Sequence, residues 1–80
     1  MQIITFQVHG RIHWGAVQNG RAVDLNAANT ARGMSMYQAH SVLDFLQAGH
    51  TSWDVAGETL AWLGDRELPE VTFALNEVKL

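Results

Sequence analysis

The strongest constraint on the fold is a pair of tight-turn signals close to the N-terminus. In the first segment Ile4, Phe6 and Val8 alternate with polar residues, which is the period of a half-buried strand. Gly10 and then Asn19-Gly20 interrupt the extended segments. Asn-Gly suits a type I′ hairpin turn because both residues tolerate a left-handed backbone. The sequence therefore predicts three antiparallel strands joined by two turns, over residues 2–9, 12–17 and 21–25.

The segment after the third strand is expected to be largely irregular. Asn26 could cap a brief helical turn over residues 27–28, but residues 29–38 show no clear period and contain Gly33, so a loop is predicted there. Three larger side chains of this loop could fill gaps against the sheet, or could gate a ligand site. They are Met34, Met36 and Tyr37.

Two short helices are predicted in the second half of the chain. Ser41 can accept a hydrogen bond from the first turn of a helix over residues 42–46, and Gly49 suits the C-terminal end of that helix. Residues 51–52 offer a hydroxyl cap for a second helix, which ends at Gly64. Its apolar stripe recurs at spacings of three and four residues, and consists of Trp53, Ala56, Leu60 and Leu63.

The last third of the chain predicts two further extended segments. One covers residues 71–73, after a charged connector that contains Pro69, and the other begins within residues 75–80. A strand that starts at the end of the sequence suggests that the chain is cut before a following domain. We therefore expect one domain, residues 1–80, with an α+β fold: a small antiparallel sheet from the N-terminal hairpins plus two short helices.

The composition favours a surface that another protein covers. When glycine is counted and tyrosine omitted, apolar residues make up about 56% of the 80 residues, against a usual share of about 45–50%. Charged residues make up 16%, whereas about 25% is typical. An excess of apolar residues in so small a domain predicts that part of its exterior is an interface.

Charge and residue usage argue against several classes of function. The net charge is −3 and the five basic residues are scattered along the chain, so nucleic-acid binding is not expected. The chain has no cysteine, which excludes disulfides and thiolate zinc sites. No signal peptide or membrane-spanning segment is predicted, so a cytoplasmic location is expected.

Several short motifs follow one another in a recognisable order. They are Phe6, Gly10-Arg11, Trp14-Gly15 with Val17, Gly20-Arg21, Val23-Asp24-Leu25 and the segment Ser41-Val42-Leu43-Asp44-Phe45-Leu46-Gln47-Ala48-Gly49. This order resembles the hairpins and leucine-rich helix of the N-terminal domain of the fumarylacetoacetate hydrolase family. Residues 75–80 are similar to the stretch that leads into the linker before the catalytic domain of that family. Residues 29–37 match nothing in it.

The resemblance implies an enzyme whose chemistry lies outside this chain. The family's catalytic domain binds magnesium or manganese through a Glu-x-Glu pair and a later acidic residue. It acts on acylpyruvates and related 2-oxo acids by hydrolysis, hydration, isomerisation or decarboxylation. A hard dication with oxygen ligands can stabilise the enolate of such a substrate. By this resemblance the chain has no catalytic residue and no cofactor of its own, and its partner is its own catalytic domain or a second subunit of a homo-oligomer.

Histidines are considered as metal ligands or as ordinary surface residues. His9 and His13 have His-x-x-x-His spacing, which on a helix would place two ligands on one face. Here they flank a turn and no third ligand is evident, so two solvent-facing hairpin histidines are expected, with a metal site as the alternative. His50 is expected at the C-terminal end of the first helix, where a cation is favoured.

Two polar clusters contain residue types that occur in metal sites or catalytic triads, but their arrangement in the sequence does not indicate such a site. Asp65-Arg66-Glu67 is an acid-x-acid triplet in a solvated connector, and an ordinary charged loop is expected there rather than a metal site. His40, Ser41 and Asp44 are the residue types of a nucleophilic triad, but adjacency in sequence does not give the geometry of a triad. A helix cap is the expected role of Ser41.

Three tryptophans are many for a chain of this length. Trp14, Trp53 and Trp62 could all lie in the core, but Trp53 begins a helix and Trp62 falls beside the apolar stripe. One of these two is predicted to anchor an interface, and Trp62 is the favoured residue.

Besides the leading hypothesis of a non-catalytic N-terminal domain, two other functions remain open. One is a free-standing protein-interaction module, and the other is a small ligand or metal binder that uses His9 and His13.

Overall fold

A computed structural model describes residues 2–33 and 41–80. The described residues form a four-stranded antiparallel sheet in the order β1-β2-β3-β4, with the helices inserted between β3 and β4. The strands are β1 Gln2–Val8, β2 Arg11–Gln18, β3 Arg21–Asp24 and β4 Thr72–Ala74. The helices are α1 Leu25–Ala31, α2 Val42–Gln47 and α3 His50–Leu63, and a 3-10 turn covers Leu75–Glu77. The predicted α+β fold class is confirmed.

Both predicted hairpins are confirmed, and both have two-residue turns. Val8 pairs with Arg11 across the first turn, and Gln18 pairs with Arg21 across the second. The turn residues all have positive φ angles: 52° and 76° at His9-Gly10, and 54° and 73° at Asn19-Gly20. Positive φ at both central residues is the requirement of a type I′ turn, whose twist matches that of the flanking strands.

Helix α1 corrects the prediction of a loop over residues 29–31. The cap is Asp24 rather than Asn26, because Asp24 Oδ1 accepts a hydrogen bond from the backbone amide of Ala27 at 3.0 Å. The helix then continues through Asn29, whose side-chain oxygen accepts a hydrogen bond from Thr59 at 2.9 Å. Packing against α3 thus extends a helix that local sequence does not signal. The rest of the predicted loop, with Met34, Met36 and Tyr37, lies outside the described residues.

Helices α2 and α3 follow each other with only two residues between them. Ser41 Oγ accepts a hydrogen bond from the backbone amide of Asp44 at 3.2 Å, which confirms the predicted cap of α2. The predicted cap of α3 at residues 51–52 is wrong, since α3 begins at His50 directly after Gly49. Gly49 has a φ of 74°, and this left-handed conformation ends α2 and lets α3 begin at the next residue. His50 therefore begins α3 instead of ending α2, whereas the predicted end at Gly64 is confirmed.

Apolar side chains pack on both faces of the sheet. One face is covered by the helices and carries the larger cluster, which is formed by Trp14, Ala16, Val23, Leu25, Ala28, Phe45, Ala56, Leu60, Leu63 and Val71. The other face carries a small cluster, which consists of buried Phe6, Val8 and Ala22 with partly buried Ile4, Phe73 and Val78. We call them the helix-side core and the open-face core. Successive side chains of β1 point to opposite faces of the sheet, so Ile3 packs on the helix-side core and Ile4 on the open-face core.

The C-terminal residues close the open face. After β4 and the 3-10 turn, Lys79 forms an antiparallel bridge with Gln7 through two backbone hydrogen bonds of 2.7 and 2.8 Å. Gln7 lies on β1, at the edge of the sheet opposite β4. The chain therefore crosses from one edge of the sheet to the other and brings Val78 onto the open-face core.

Candidate functional site

An exposed apolar surface of the described residues lies on α2 and the start of α3, apart from the still more exposed Ile12 and Leu80. Leu43 is 62% exposed, Leu46 is 50% exposed and Trp53 is 37% exposed, whereas Phe45 on the same short helix is 2% exposed. Leu43 and Leu46 are three residues apart and therefore share a face of α2. We call Leu43, Leu46 and Trp53 the α2–α3 patch. Folding of the described residues leaves these side chains in solvent.

The core fixes the position of the patch. The ring of Trp53 meets the ring of Phe45 edge-on, with centroids 5.0 Å apart. Phe45 in turn contacts Trp14 on β2, with centroids 5.1 Å apart. Such tilted and edge-to-face pairs are the favoured arrangements of aromatic rings. Trp53 is thus held in place by Phe45 while part of its indole remains exposed to solvent. A rigid, partly exposed aromatic ring is what an interface anchor requires.

Trp62 lies elsewhere on α3. It is partly buried against the helix-side core, and the Arg66 guanidinium sits over its ring at 5.1 Å from the centroid. Nine residues separate Trp62 from Trp53, which at about 100° per residue places them on opposite sides of the helix. The two predicted interface tryptophans therefore do not form one surface, and Trp53 is the more exposed of the pair.

The two hairpin histidines have different environments. His9 lies in the first turn and is exposed. His13 lies on β2, where Nδ1 is 2.8 Å from Asp24 Oδ2 and the ring stacks on Phe6 with centroids 5.4 Å apart. The expectation of two solvent-facing histidines is therefore wrong for His13. Both imidazoles contact Phe73, with centroid distances of 6.4 and 5.8 Å.

The partner of His13 is a residue that the sequence-based prediction did not single out. Gly15 pairs with Asp24 across β2 and β3, so His13 is a diagonal neighbour of Asp24 on the same face of the sheet. Counting residues back from the Asn19-Gly20 turn would have given this register. Within residues 2–33 and 41–80, no group of three or more histidine, cysteine or acidic side chains could hold a metal ion.

The acid-x-acid triplet is tied to the second hairpin. Asn19 Nδ2 donates a hydrogen bond of 2.7 Å to Asp65 Oδ1, and Arg21 forms an ion pair with Glu67. Gln18 Nε2 also donates to the backbone oxygen of Leu60 at 2.9 Å. These contacts join the β2–β3 turn to the C-terminal end of α3. The carboxylates therefore contact neighbouring polar side chains at the surface, as expected of an ordinary charged loop.

Of His40, Ser41 and Asp44, the structure describes Ser41 and Asp44. Ser41 Oγ is occupied as the acceptor of the α2 cap, and the contact of Asp44 with it is made by the backbone amide rather than by the carboxylate. His40 lies outside the described residues. Ser41 and Asp44 thus form a helix cap, as predicted for Ser41.

None of the helices in residues 2–33 and 41–80 is long and apolar enough to cross a membrane. Comparison with models of known protein families and with curated proteins finds no match to this chain.

Proposed function

We infer that this chain is the non-catalytic N-terminal domain of a cytoplasmic fumarylacetoacetate hydrolase-like enzyme, and that its α2–α3 patch packs against the catalytic domain of the same protein or of a second subunit. In this proposal the chain positions or partly covers an active site. The active site itself lies in the companion domain, where magnesium or manganese acts on acylpyruvates or related 2-oxo acids.

The observation that carries the proposal is the exposure of the leucines on α2. The segment 41–49 contains the longest continuous part of the family resemblance, and it is also where Leu43 and Leu46 remain in solvent. A six-residue helix needs only its inward face to pack on the sheet. Leucines on its outward side contribute little to the isolated fold, and burial of their exposed half against a second surface would give each of them about 1–2 kcal/mol.

The donor groups of the described residues do not fit a magnesium or manganese site. A hard dication takes several oxygen ligands, usually with carboxylates among them. Asp65 and Glu67 are engaged by Asn19 and Arg21, and no third carboxylate joins them within the described ranges. For this reason the proposal assigns the metal to the companion domain.

The coding sequence beyond Leu80 provides the decisive test. We expect it to continue into a glycine-containing segment with histidine and glutamate, followed by a Glu-x-Glu pair. The longer protein should hydrolyse or otherwise convert an acylpyruvate when Mg²⁺ is added, and the 80-residue chain should not. A reading frame that stops at Leu80, or turnover by the 80-residue chain alone, would overturn the proposal.

The patch can be tested by one substitution in two contexts. Leu43→Ser should change the free energy of unfolding of the 80-residue chain by no more than about 0.5 kcal/mol, because the side chain is exposed there. In the longer protein the same change should lower the melting temperature by about 4 °C or more, since a packed leucine would be lost. Thermal unfolding followed by circular dichroism measures both.

Leu75→Ser is the control outside the patch. Leu75 is 37% exposed, so its replacement should cost more than Leu43→Ser in the 80-residue chain, but its cost should be the same in the two proteins. If Leu43→Ser behaves in the same way as this control, α2 does not contact the companion domain. The chain would then be better described as a free-standing interaction module.

A further inference from the structure

The end of the sheet that carries the first hairpin turn forms a cleft. Because the strands are antiparallel and follow the chain order, the β1–β2 turn, the end of β3 and the start of β4 meet at this end. The cleft has a volume of about 500 Å³, and it is lined by Val8, His9, Arg11, His13, Ala27 and Glu70. This size lies within the range of about 300–1,000 Å³ that is usual for small-molecule sites.

The imidazole of His13 lines the cleft, and its neighbours hold it in one orientation. Asp24 uses both carboxylate oxygens: Oδ1 accepts from the amide of Ala27, and Oδ2 contacts Nδ1 of His13. A carboxylate at Nδ1 favours the proton on that nitrogen. Stacking on Phe6 fixes the plane of the ring. His13 Nε2 makes no hydrogen bond within residues 2–33 and 41–80, so it is free to accept one, or to donate one when the ring is protonated.

The charged groups at the rim are not paired with each other. Among the described residues, Arg11 and Glu70 line the same cleft but form no ion pair, since the ion pairs found there involve other residues. A second cleft, of about 400 Å³, shows the contrast. Its cation, Arg21, is bound to Glu67, and its remaining charged residue, Glu77, is a second carboxylate. Only the first cleft therefore offers a cation and an anion to a ligand.

Two rim residues also have unusual backbone angles. His9 has a φ of 52° and Glu70 has a φ of 64°. Positive φ is uncommon outside glycine, and it costs more for a long side chain such as glutamate than for asparagine. The hairpin turn accounts for the angle at His9, whereas Glu70 lies in no hairpin turn, and such conformations occur at binding sites where the surrounding structure holds them.

We propose that this cleft binds a small molecule that carries an anionic group, phosphate or carboxylate, at one end and an ammonium group at the other. Arg11 binds the anionic group and Glu70 binds the ammonium group, beside the hydrogen-bond-accepting Nε2 of His13. The proposal is independent of the function inferred above, because it uses none of the residues of the α2–α3 patch and needs no companion domain.

Four probes separate the parts of this proposal. Phosphoethanolamine and β-alanine carry the two kinds of anionic group, each two carbons from an ammonium group, whereas inorganic phosphate and acetate lack the ammonium group. Amide NMR titration of the 80-residue chain should show shifts at residues 8–13, 24–27 and 70 with at least one of the two zwitterions. That zwitterion should bind about tenfold more tightly than its anion-only counterpart, and the tighter-binding zwitterion identifies the anionic group.

Three variants complete the test. Arg11→Gln should weaken binding of the zwitterion about tenfold, which corresponds to the loss of one charge-assisted contact. Glu70→Gln should abolish the preference for the zwitterion over the anion alone. His50→Gln changes an exposed histidine outside the cleft and should have no effect. Absence of shifts with all four probes, or equal weakening by Arg11→Gln and His50→Gln, would overturn the proposal.

Discussion

The two faces of the sheet are stabilised in different ways. The helix-side core contains ten buried residues from the strands, all three helices and Val71. The open-face core contains three, with a cover that consists of Phe73, Val78 and neighbouring side chains. Three helices cover one face of the sheet. The other face is covered by a C-terminal segment, which the Gln7–Lys79 bridge joins to β1. Loss of packing on each face should therefore have a different local consequence.

The largest expected effects come from truncating one phenylalanine on each face. Phe6 and Phe45 are 1% and 2% exposed, so Phe6→Ala and Phe45→Ala should each lower the free energy of unfolding by about 3–5 kcal/mol. Urea unfolding measures this loss. Hydrogen exchange then distinguishes the faces: Phe6→Ala should expose the amides of Gln7 and Lys79, whereas Phe45→Ala should expose those of α2.

If both variants lose protection over the same amides, the two faces unfold as one unit and the comparison fails. Retention of protection at Gln7 and Lys79 in Phe6→Ala would show that the bridge is stable without the open-face core. Either result can be read even if the variants are only partly folded, because exchange is measured residue by residue.

The next largest effect concerns the close contact between β2 and β3. An added Cβ at Gly15 would lie 1.7 Å from the backbone oxygen of Val23, and backbone atoms cannot move aside as a flexible side chain can. Gly15→Ala should therefore lower the free energy of unfolding by about 1–3 kcal/mol. Thermal unfolding should show a melting temperature lower by 4 °C or more. An unchanged melting temperature would mean that β3 does not pass so close to Gly15.

Local signals predicted the hairpins well, and the contacts between elements poorly. Asn19-Gly20 fixes its turn by backbone preference alone, so neighbouring residues were sufficient to place β2 and β3. Helix α1 also packs against α3, where the side chains of Asn29 and Thr59 are in hydrogen-bond contact although they lie thirty positions apart. Its own sequence mixes three alanines and a leucine with two asparagines and a threonine, so helix propensity alone does not decide between a helix and a loop.

The same distinction applies to the candidate sites. His13 was identified as a residue of interest from its type, but its partner Asp24 follows only from the strand register. The position of Trp62 beside the apolar stripe predicts an exposed ring, but the stripe does not show that Arg66 lies over it. Residue type therefore indicated which side chains to consider, and tertiary structure determined their neighbours.

A smaller effect is expected at the start of α2, at the outer edge of the helix-side layer. Ser41→Ala removes the side-chain acceptor for the amide of Asp44, and loss of such a cap costs about 1 kcal/mol. Thr51→Ala is the control, because Thr51 is exposed within α3 and its side chain caps no helix. Urea unfolding should show a loss for Ser41→Ala only. Equal losses would mean that the cap does not stabilise α2.

The smallest expected effect is a gain in stability on the solvent side of α3. Gly57 lies in the middle of this helix, and a Cβ added there meets no atom within 4 Å. Alanine loses less backbone entropy than glycine when a helix forms, so Gly57→Ala should raise the free energy of unfolding by about 0.5–1 kcal/mol. The opposite sign from Gly15→Ala, for the same chemical change, follows from the space around each residue. A loss of stability would show that Gly57 is in contact with another surface, and self-association of the 80-residue chain, measured by sedimentation, would then identify that surface as a second copy.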